Sequence, residues 1–401
     1  MMIAPLLALL LAQPAPDPLI GKGFDHFYNL EYPQALDAFR QSLAAHPNDP
    51  ARHNHLAQAV LFQMMLRCGA LESHLVTGAN PFLRHPRMEP TAAERSLFLS
   101  AIASSMELTA KALAVKANDI DALYARGVAF SLRGTYNFLV TRAWMDSLRD
   151  VTESRKLHNR VTDLDPSRID AFMAQGFHDY IVGSLHWSYR LLGFLAGFRG
   201  DKSAGIRTLA RVAEHGVINR SDAQILLSVA YRREGRFTLV PPILDSLLQR
   251  HPRNYLILLE LSQVHADIGD LAKATAALDR CQQLKSSAAP GFVNLPRERI
   301  EYARGNLLFW YNQPQQAIIH LRAATAGHTH LDPYSGSMAW FRLGQCLDLA
   351  GKASEARATF RKAVSLFPPG YEGARESRRY RDRPYTLAKY LADNPTAPMN
   401  Q

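Results

Sequence analysis

A pattern of residues between Ser337 and Gly370 constrains the fold of this chain more than any other sequence feature. The pattern consists of Trp340, Leu343, Gly344, Leu347, Ala356, Phe360, Ala363 and Pro368. Trp340, Leu343 and Leu347 are spaced so that they share one face of a helix. Gly344 is small where a second helix must approach closely. The stretch therefore predicts two antiparallel helices, the second of which ends at Pro368 because proline cannot continue a helix.

The same pattern recurs at the same length in four other places. These are residues 16–49, 221–254, 255–288 and 298–331. Gly23, Gly305 and Gly344 occupy the same place in three of the units. A pattern with a fixed period of this length is typical of a repeat architecture.

This recurring pattern, W-x2-L-G-x2-L followed by A-x3-F and P, resembles the tetratricopeptide repeat, a helix–turn–helix unit. The resemblance implies an all-α fold, a right-handed superhelix of tetratricopeptide-type helical hairpins, or α-solenoid. Each hairpin would pack mainly on its neighbours. About eight units fit the chain.

The repeats are regular in only part of the chain. We predict a signal peptide at residues 1–15 and an irregular repeat half with long insertions at 16–218. A regular repeat half follows at 219–370, and a basic capping helix and tail at 371–401. The segment Cys68–Pro90 contains several glycines and prolines and is predicted to be a long loop. Its role stays open.

The N-terminus carries a short apolar run, Leu6–Ala12, which is too short to span a bilayer. It resembles the hydrophobic region of a secretory signal, with Ala12 or Ala15 as the cleavage point, although a basic segment before it is missing. The sequence therefore favours an extracytoplasmic location, periplasmic or secreted. The alternative is an uncleaved apolar tail on a cytoplasmic protein.

A second resemblance lies in the irregular half. The residues that carry it are the runs Ser184–Ser188, Leu191–Phe194 and Gly197–Lys202. They are similar to a segment of the tetratricopeptide-repeat-39 and yeast inclusion-body-clearance group, in which an apolar stretch precedes a Gly-Phe-x-Gly-Asp turn. The resemblance covers about a tenth of the chain and implies a non-enzymatic helical protein linked to membrane surfaces.

The apolar stretch at 181–198 has two interpretations. The lengthened helices of neighbouring units could wrap it into a local core. Otherwise it exposes a patch that contacts a partner or a membrane, through Trp187, Tyr189 and Phe194. A peripheral membrane-associated repeat protein using the apolar 185–198 segment is therefore the alternative function.

Composition limits the chemistry. The net charge of +10 favours acidic partners without selecting among them. The motifs of nucleotide-binding loops, zinc proteases and serine hydrolases are missing, so we expect no enzyme activity, no cofactor and no metal site. Cys281 and Cys346 are expected to be buried thiols. The arginine cluster from Arg375 to Arg383 is interrupted by acidic residues, so nucleic acid is not favoured as a partner.

The first helices of such repeats line the inner, concave groove. In this fold the groove positions are the second, fifth, sixth, ninth, twelfth and thirteenth of each unit. The candidate partner-binding residues at these positions are Asn54, Gln58, Tyr124, Phe177, Tyr180, Arg232, Arg233, Asn306, Trp310, Arg342 and Gln345. Aromatic, amide and arginine side chains suit peptide binding. We therefore predict a non-enzymatic scaffold or adaptor that binds a protein or peptide segment in the groove.

Overall fold

The computed structural model describes residues 17–71, 86–184 and 200–395. These residues form 18 α-helices and no β-strand. The helices are α1 (Pro18–Tyr28), α2 (Tyr32–Ala45), α3 (Pro50–Arg67), α4 (Ala92–Val115), α5 (Ile120–Tyr136), α6 (Trp144–Leu164), α7 (Phe172–Gly183), α8 (Lys202–His215), α9 (Arg220–Arg233), α10 (Pro241–Arg250), α11 (Tyr255–Ile268), α12 (Leu271–Ser286), α13 (Arg297–Trp310), α14 (Pro314–Ala326), α15 (Pro333–Leu349), α16 (Ala353–Leu366), α17 (Glu372–Tyr380) and α18 (Leu387–Asp393).

The first sixteen helices pack as eight successive hairpins, α1 with α2 through α15 with α16. Each hairpin also packs on the next, which gives the right-handed α-solenoid predicted from the sequence. The turn inside a hairpin uses a residue with positive φ, such as Gly269 (91°), Asn312 (53°) and Gly351 (76°). Glycine or asparagine suits this position because both tolerate the left-handed conformation.

The small residue at the eighth place of each unit sets how closely the two helices approach. A Cβ atom built on Gly344 would lie 2.7 Å from two ring carbons of Phe360 in the second helix of the same unit. One on Gly305 would lie 2.7 Å from Cδ2 of Leu321, and one on Gly23 would lie 2.8 Å from Cζ of Phe39. The predicted contact between Gly344 and its partner helix is therefore confirmed.

The irregular half departs from the repeat by lengthening helices. Helix α4 has 24 residues and begins at a capping box formed by Thr91 and Glu94. Helix α5 continues into a π-helical turn, Asn137–Thr141, before α6 begins. The stretch Thr135–Trp144 is therefore helical for most of its length, because α5 carries its helical backbone past the usual end of the unit.

Among the described helices, α4 is the one long and apolar enough to cross a membrane by length and composition. It is also the second helix of a hairpin, and it buries Phe98, Ala101 and Ile102. Its opposite face carries an exposed ion pair between Glu107 and Lys111, with 2.6 Å between Oε1 and Nζ. In this structure α4 therefore packs through one face as part of its hairpin.

The array closes on itself instead of extending as an open superhelix. The turn of the first hairpin contacts the loop before α11 through Arg253 and Asn254. Gly69, just after α3, lies against Asp332 at the start of α15, and Pro86 lies against Gly370. The first two units are therefore in contact with the fifth, sixth and eighth.

Candidate functional site: the concave groove

The predicted groove residues differ widely in their accessibility. Asn54, Tyr180, Arg232 and Gln345 are buried. The half-buried members are Gln58, Tyr124, Asn306, Trp310 and Arg342. Phe177 and Arg233 are the two exposed members.

Several of these side chains join neighbouring units. Asn54 on α3 donates from Nδ2 to the carbonyl oxygen of Ala125 on α5 at 2.8 Å. Arg342 on α15 donates from Nε to Oδ1 of Asn306 on α13 at 3.0 Å. It also donates from a terminal guanidinium nitrogen to Oε1 of Gln345 at 2.8 Å. Asn54 and Arg342 therefore link neighbouring units, and the buried side chains of Asn54 and Gln345 are not accessible to a partner in this structure.

Arg232 joins two units through a buried ionic network. From α9 its guanidinium reaches Oε1 of Glu260 at 2.7 Å and Oδ2 of Asp267 at 2.7 Å, both on α11. Burial raises the pKa of Asp267, and the adjacent Arg232 offsets part of that rise. Removing Arg232 would leave two buried carboxylates without their partner, so Arg232 is a structural residue at a groove position.

The turn of the first hairpin covers one edge of the groove. Tyr28 donates its hydroxyl proton to Oδ2 of Asp222, at the second place of the fifth unit, at 3.0 Å. Its ring stacks on His251 with 4.8 Å between centroids. Its carbonyl oxygen accepts a hydrogen bond from Nδ2 of Asn254 at 2.8 Å. These contacts place the first unit against the groove face of the fifth and sixth.

Ion pairs strengthen this closure. Arg253 donates from Nε to Oε1 of Glu31 at 2.8 Å and from a terminal nitrogen to Oδ2 of Asp25 at 2.6 Å. Its main-chain N–H also donates to Oδ1 of Asn29 at 2.9 Å. The hydrogen bonds from Arg253 and His26 lower the pKa of Glu31 although burial acts in the opposite direction.

Burial changes the titration of the groups in this contact. It raises the pKa of the Asp222 carboxyl to about 6, against a smaller opposing effect of the hydrogen bond from Tyr28. The pKa of Tyr28 lies well above its usual range, chiefly through burial and then through Asp222. Burial also lowers the pKa of His251 to about 4, so its ring is neutral at pH 7.

Replacing Asp222 with asparagine should make the protein less sensitive to pH. The folded-state pKa of Asp222 exceeds the unfolded value, so this residue lowers stability as pH rises from about 4 to 7. A shift of about two pKa units corresponds to at most about 3 kcal/mol. Urea denaturation should show a smaller difference in the free energy of unfolding between pH 4.5 and pH 7 for Asp222→Asn than for the wild type. The substitution keeps a hydrogen-bond acceptor for Tyr28.

Other groups face Asp222, so a matched control is required. Tyr124 and Asp170 act electrostatically on Tyr28 from α5 and from the turn before α7. Asp37→Asn on the exposed face of α2 provides the control for the loss of a carboxylate as such. Equal pH dependence of the wild type and Asp222→Asn would contradict the prediction.

The C-terminal segment covers the other end of the groove. Tyr385 and Tyr390 are buried, with exposed fractions of 1% and 0%. They pack against Phe309 and Trp310, which occupy the twelfth and thirteenth places of the seventh unit. Trp310 also donates from Nε1 to the carbonyl oxygen of Ala266 at 3.3 Å.

The middle of the groove remains accessible. Phe177 and Ile181 on α7 are 38% and 37% exposed, and Ile225 on α9 is 42% exposed. They occupy the ninth and thirteenth places of the fourth unit and the fifth place of the fifth. Arg233 on α9 is exposed at the thirteenth place of the fifth unit. The exposed groove-position residues of the fourth and fifth units are therefore Phe177, Ile181, Ile225 and Arg233, together termed the "central strip".

Sequence reasoning did not identify Tyr28, Asp222, Ile181, Ile225, Tyr385 or Tyr390 as groove residues. Asp222, Ile181 and Ile225 stand at groove positions and could have been found by applying the repeat register strictly. The contacts of Tyr28 and Tyr390 join residues 194 and 80 positions apart, and no local pattern encodes them.

Other sequence candidates have structural roles or lie outside the described residues. His330 pairs with Glu298 at 3.1 Å, and Asp332 caps α15 by accepting from the N–H of Ser335. Among residues 17–71, 86–184 and 200–395, no cluster of three potential metal ligands occurs. Arg379 pairs with Glu376 at 2.9 Å within the basic segment. Trp187, Tyr189 and Phe194 lie outside the described residues, so the membrane alternative stays a prediction.

Successive helical hairpins, joined through small residues and lining one concave face, define the class of α-solenoid repeat proteins. The repeat itself is the tetratricopeptide repeat, since residues 302–371 match that family's model. The tetratricopeptide-type repeat predicted from the sequence is therefore supported over this part of the chain.

Three solved structures to which the chain is similar are distant from it in sequence. A tetratricopeptide repeat protein from Parabacteroides merdae is 13% identical, covering 82% of this chain and 98% of its own, with a TM-score of 0.33. Yeast Tom70 is 14% identical over 94% of this chain and 91% of its own, with a TM-score of 0.40. Human IFIT1 is 11% identical, covering 95% of this chain and 82% of its own, with a TM-score of 0.46. No curated protein matches the sequence.

Proposed function

We propose that this protein is a non-enzymatic scaffold that binds a segment of another protein along the central strip. The observation that carries the proposal is the contrast within the groove. Its ends are covered by the first hairpin and by the C-terminal segment, whereas Phe177, Ile181 and Ile225 expose more than a third of their surface. Exposed apolar side chains grouped on a concave face are typical of binding sites.

The charges beside the strip indicate the chemistry of the partner. Arg233 and Arg236 are exposed at the C-terminal end of α9. The neighbouring carboxylate of Glu234 already pairs with Lys202, with 2.5 Å between Oε2 and Nζ. The central strip therefore suits a segment with apolar side chains and a carboxylate that faces Arg233, where charge complementarity would orient it.

Site-specific photo-crosslinking in the native host tests this proposal. A benzoylphenylalanine at position 225 should give one discrete adduct, whose partner peptide is identified by mass spectrometry. The same probe at the exposed Ile319, on the second helix of the seventh unit, is the matched control. Arg233→Glu should lower the yield at position 225 severalfold. The same adducts from both positions, or none from position 225, would refute the proposal.

We also propose that the protein acts outside the cytoplasm. The support is the apolar run Leu6–Ala12 in the sequence, which lies outside the described residues. Mass spectrometry of protein from the native host should find a mature N-terminus near Gln13 or Pro16. An intact Met1 in a cytosolic fraction would remove this assignment.

A further inference from the structure

The C-terminal segment, residues 381–395, returns across the groove face of the seventh and eighth units. The preceding helix α17 already packs against α15 and α16 and so caps the last hairpin. After α17 the chain reverses, and α18 lies against the C-terminal ends of α13 and α15. A cap alone would not require this second layer.

Tyr390 is held by the end of α13. Its hydroxyl donates to the carbonyl oxygen of Trp310 at 2.8 Å. Its ring meets Phe309 edge to face, with 5.2 Å between centroids and 82° between planes. The guanidinium carbon of Arg342 lies 4.0 Å from the centroid of the same Phe309 ring. Phe309 therefore forms an aromatic floor with Arg342 on it and Tyr390 at its edge.

Tyr385 is held through its main chain as well as its ring. Its N–H donates to Oδ2 of Asp348 on α15 at 2.8 Å, and Asp348 also pairs with Arg357. The ring lies 5.3 Å from Tyr380 and 6.4 Å from Phe309, centroid to centroid. A main-chain hydrogen bond combined with buried aromatic anchors is how grooves recognise peptide segments.

The outer face of α18 exposes apolar side chains to solvent. Leu387 and Leu391 are 50% and 40% exposed, although the tyrosine between them is completely buried. The segment therefore joins the core through two buried aromatic side chains, while the face that carries Leu387 and Leu391 is open to solvent.

We propose that residues 381–395 are an intramolecular occupant of a peptide-binding site made by α13 and α15. The external partner of this site is a protein segment of the same chemistry, with two tyrosines five positions apart, the second in a short helix. This inference rests on the proposed function in that both assume a groove that binds protein segments, but it concerns a different part of the groove.

Binding of the chain's own segment as a free peptide tests the proposal. The probe is a fluorescent peptide of residues 381–395, and the receptor is the full chain carrying Tyr385→Ser and Tyr390→Ser. This variant should bind the peptide at least about 100-fold more tightly than the wild type, whose tethered segment competes at a millimolar effective concentration. A peptide with both tyrosines replaced by serine should not bind.

A milder variant keeps the test valid if the double variant does not fold. Tyr390→Phe removes only the hydrogen bond to Trp310, so the fold should persist. The fraction of molecules whose site is occupied by their own C-terminal segment should fall. Its apparent affinity for the peptide should rise about fivefold over the wild type. Thermal unfolding monitored by circular dichroism verifies that each receptor is folded.

The outcomes separate this inference from the proposed function. A folded variant that binds the peptide no better than the wild type would show that the segment is only a cap, and would overturn the inference. Crosslinking from position 225 would be unaffected by that result. Conversely, peptide binding without a discrete adduct at position 225 would support this site and refute the central strip.

Discussion

Replacing Arg232 with methionine is expected to destabilise the folded protein by about 3–5 kcal/mol at pH 7, the largest effect expected of any single change considered. The substitution keeps an unbranched apolar stem but leaves Glu260 and Asp267 mostly buried and without their guanidinium. Urea denaturation followed by circular dichroism measures the loss.

The pH dependence identifies the cause of that loss. Without Arg232, the folded-state pKa of Asp267, already raised by burial, should rise further. A raised carboxyl pKa lowers stability as pH increases, so the penalty should be largest at pH 7 and fade towards pH 4. A penalty of equal size at both pH values would indicate lost packing instead of unpaired charge.

Two variants make the comparison specific. Arg233→Met removes the adjacent, exposed guanidinium and should change stability by less than about 0.5 kcal/mol. The triple change of Arg232→Met with Glu260→Gln and Asp267→Asn removes all three charges and should recover most of the loss. If Arg233→Met and Arg232→Met had equal effects, the buried network would not be the source of stability.

Replacing Gly344 with leucine should destabilise the protein by about 3 kcal/mol. Even a Cβ atom there would lie 2.7 Å from ring carbons of Phe360, which is fully buried and packs near Phe341 and Tyr380. The ring cannot move away without displacing its neighbours, so the two helices of the last unit must separate. The midpoint of urea denaturation measures the effect.

Gly21 on α1 is the matched control for this substitution. No atom lies within 4 Å of the position that its Cβ would occupy, and the residue is exposed. Gly21→Leu should therefore stabilise the protein by up to about 1 kcal/mol through helix propensity alone. Opposite signs at the two glycines would confirm the repeat register. An unchanged midpoint for Gly344→Leu would contradict it.

The sequence predicted the repeat well because its determinants are local. Gly344, its partner helix and the positive φ of Gly351 follow from the spacing of a single unit. The capping box likewise depends on only four consecutive residues, Thr91 to Glu94. The thiols of Cys281 and Cys346 are buried, as predicted from their helix faces.

The accessible part of the groove could not be predicted from the same pattern. Whether Trp310 or Tyr124 faces solvent depends on which distant segment returns to cover it. That depends on curvature, which accumulates from small rotations between successive hairpins. Tyr28 and Tyr390 reach the groove only because the array curls tightly enough to bring them there, and their spacing in sequence gives no sign of it.

The contact between Arg253 and the first hairpin changes how the chain should respond to force or to loss of a repeat. In an open solenoid each unit contacts only its neighbours, so hairpins can unfold from one end and units can be removed. Here Asp25 and Glu31 pair with Arg253, which lies 222 or more positions away along the chain, so the first and fifth units are joined. We expect the ring of units between them to resist stretching and to unfold as one body. Deleting an internal hairpin would move Arg253 away from Asp25 and Glu31, so that the contact could not form. The contact between distant units therefore fixes the number of units, in addition to the stacking of neighbours.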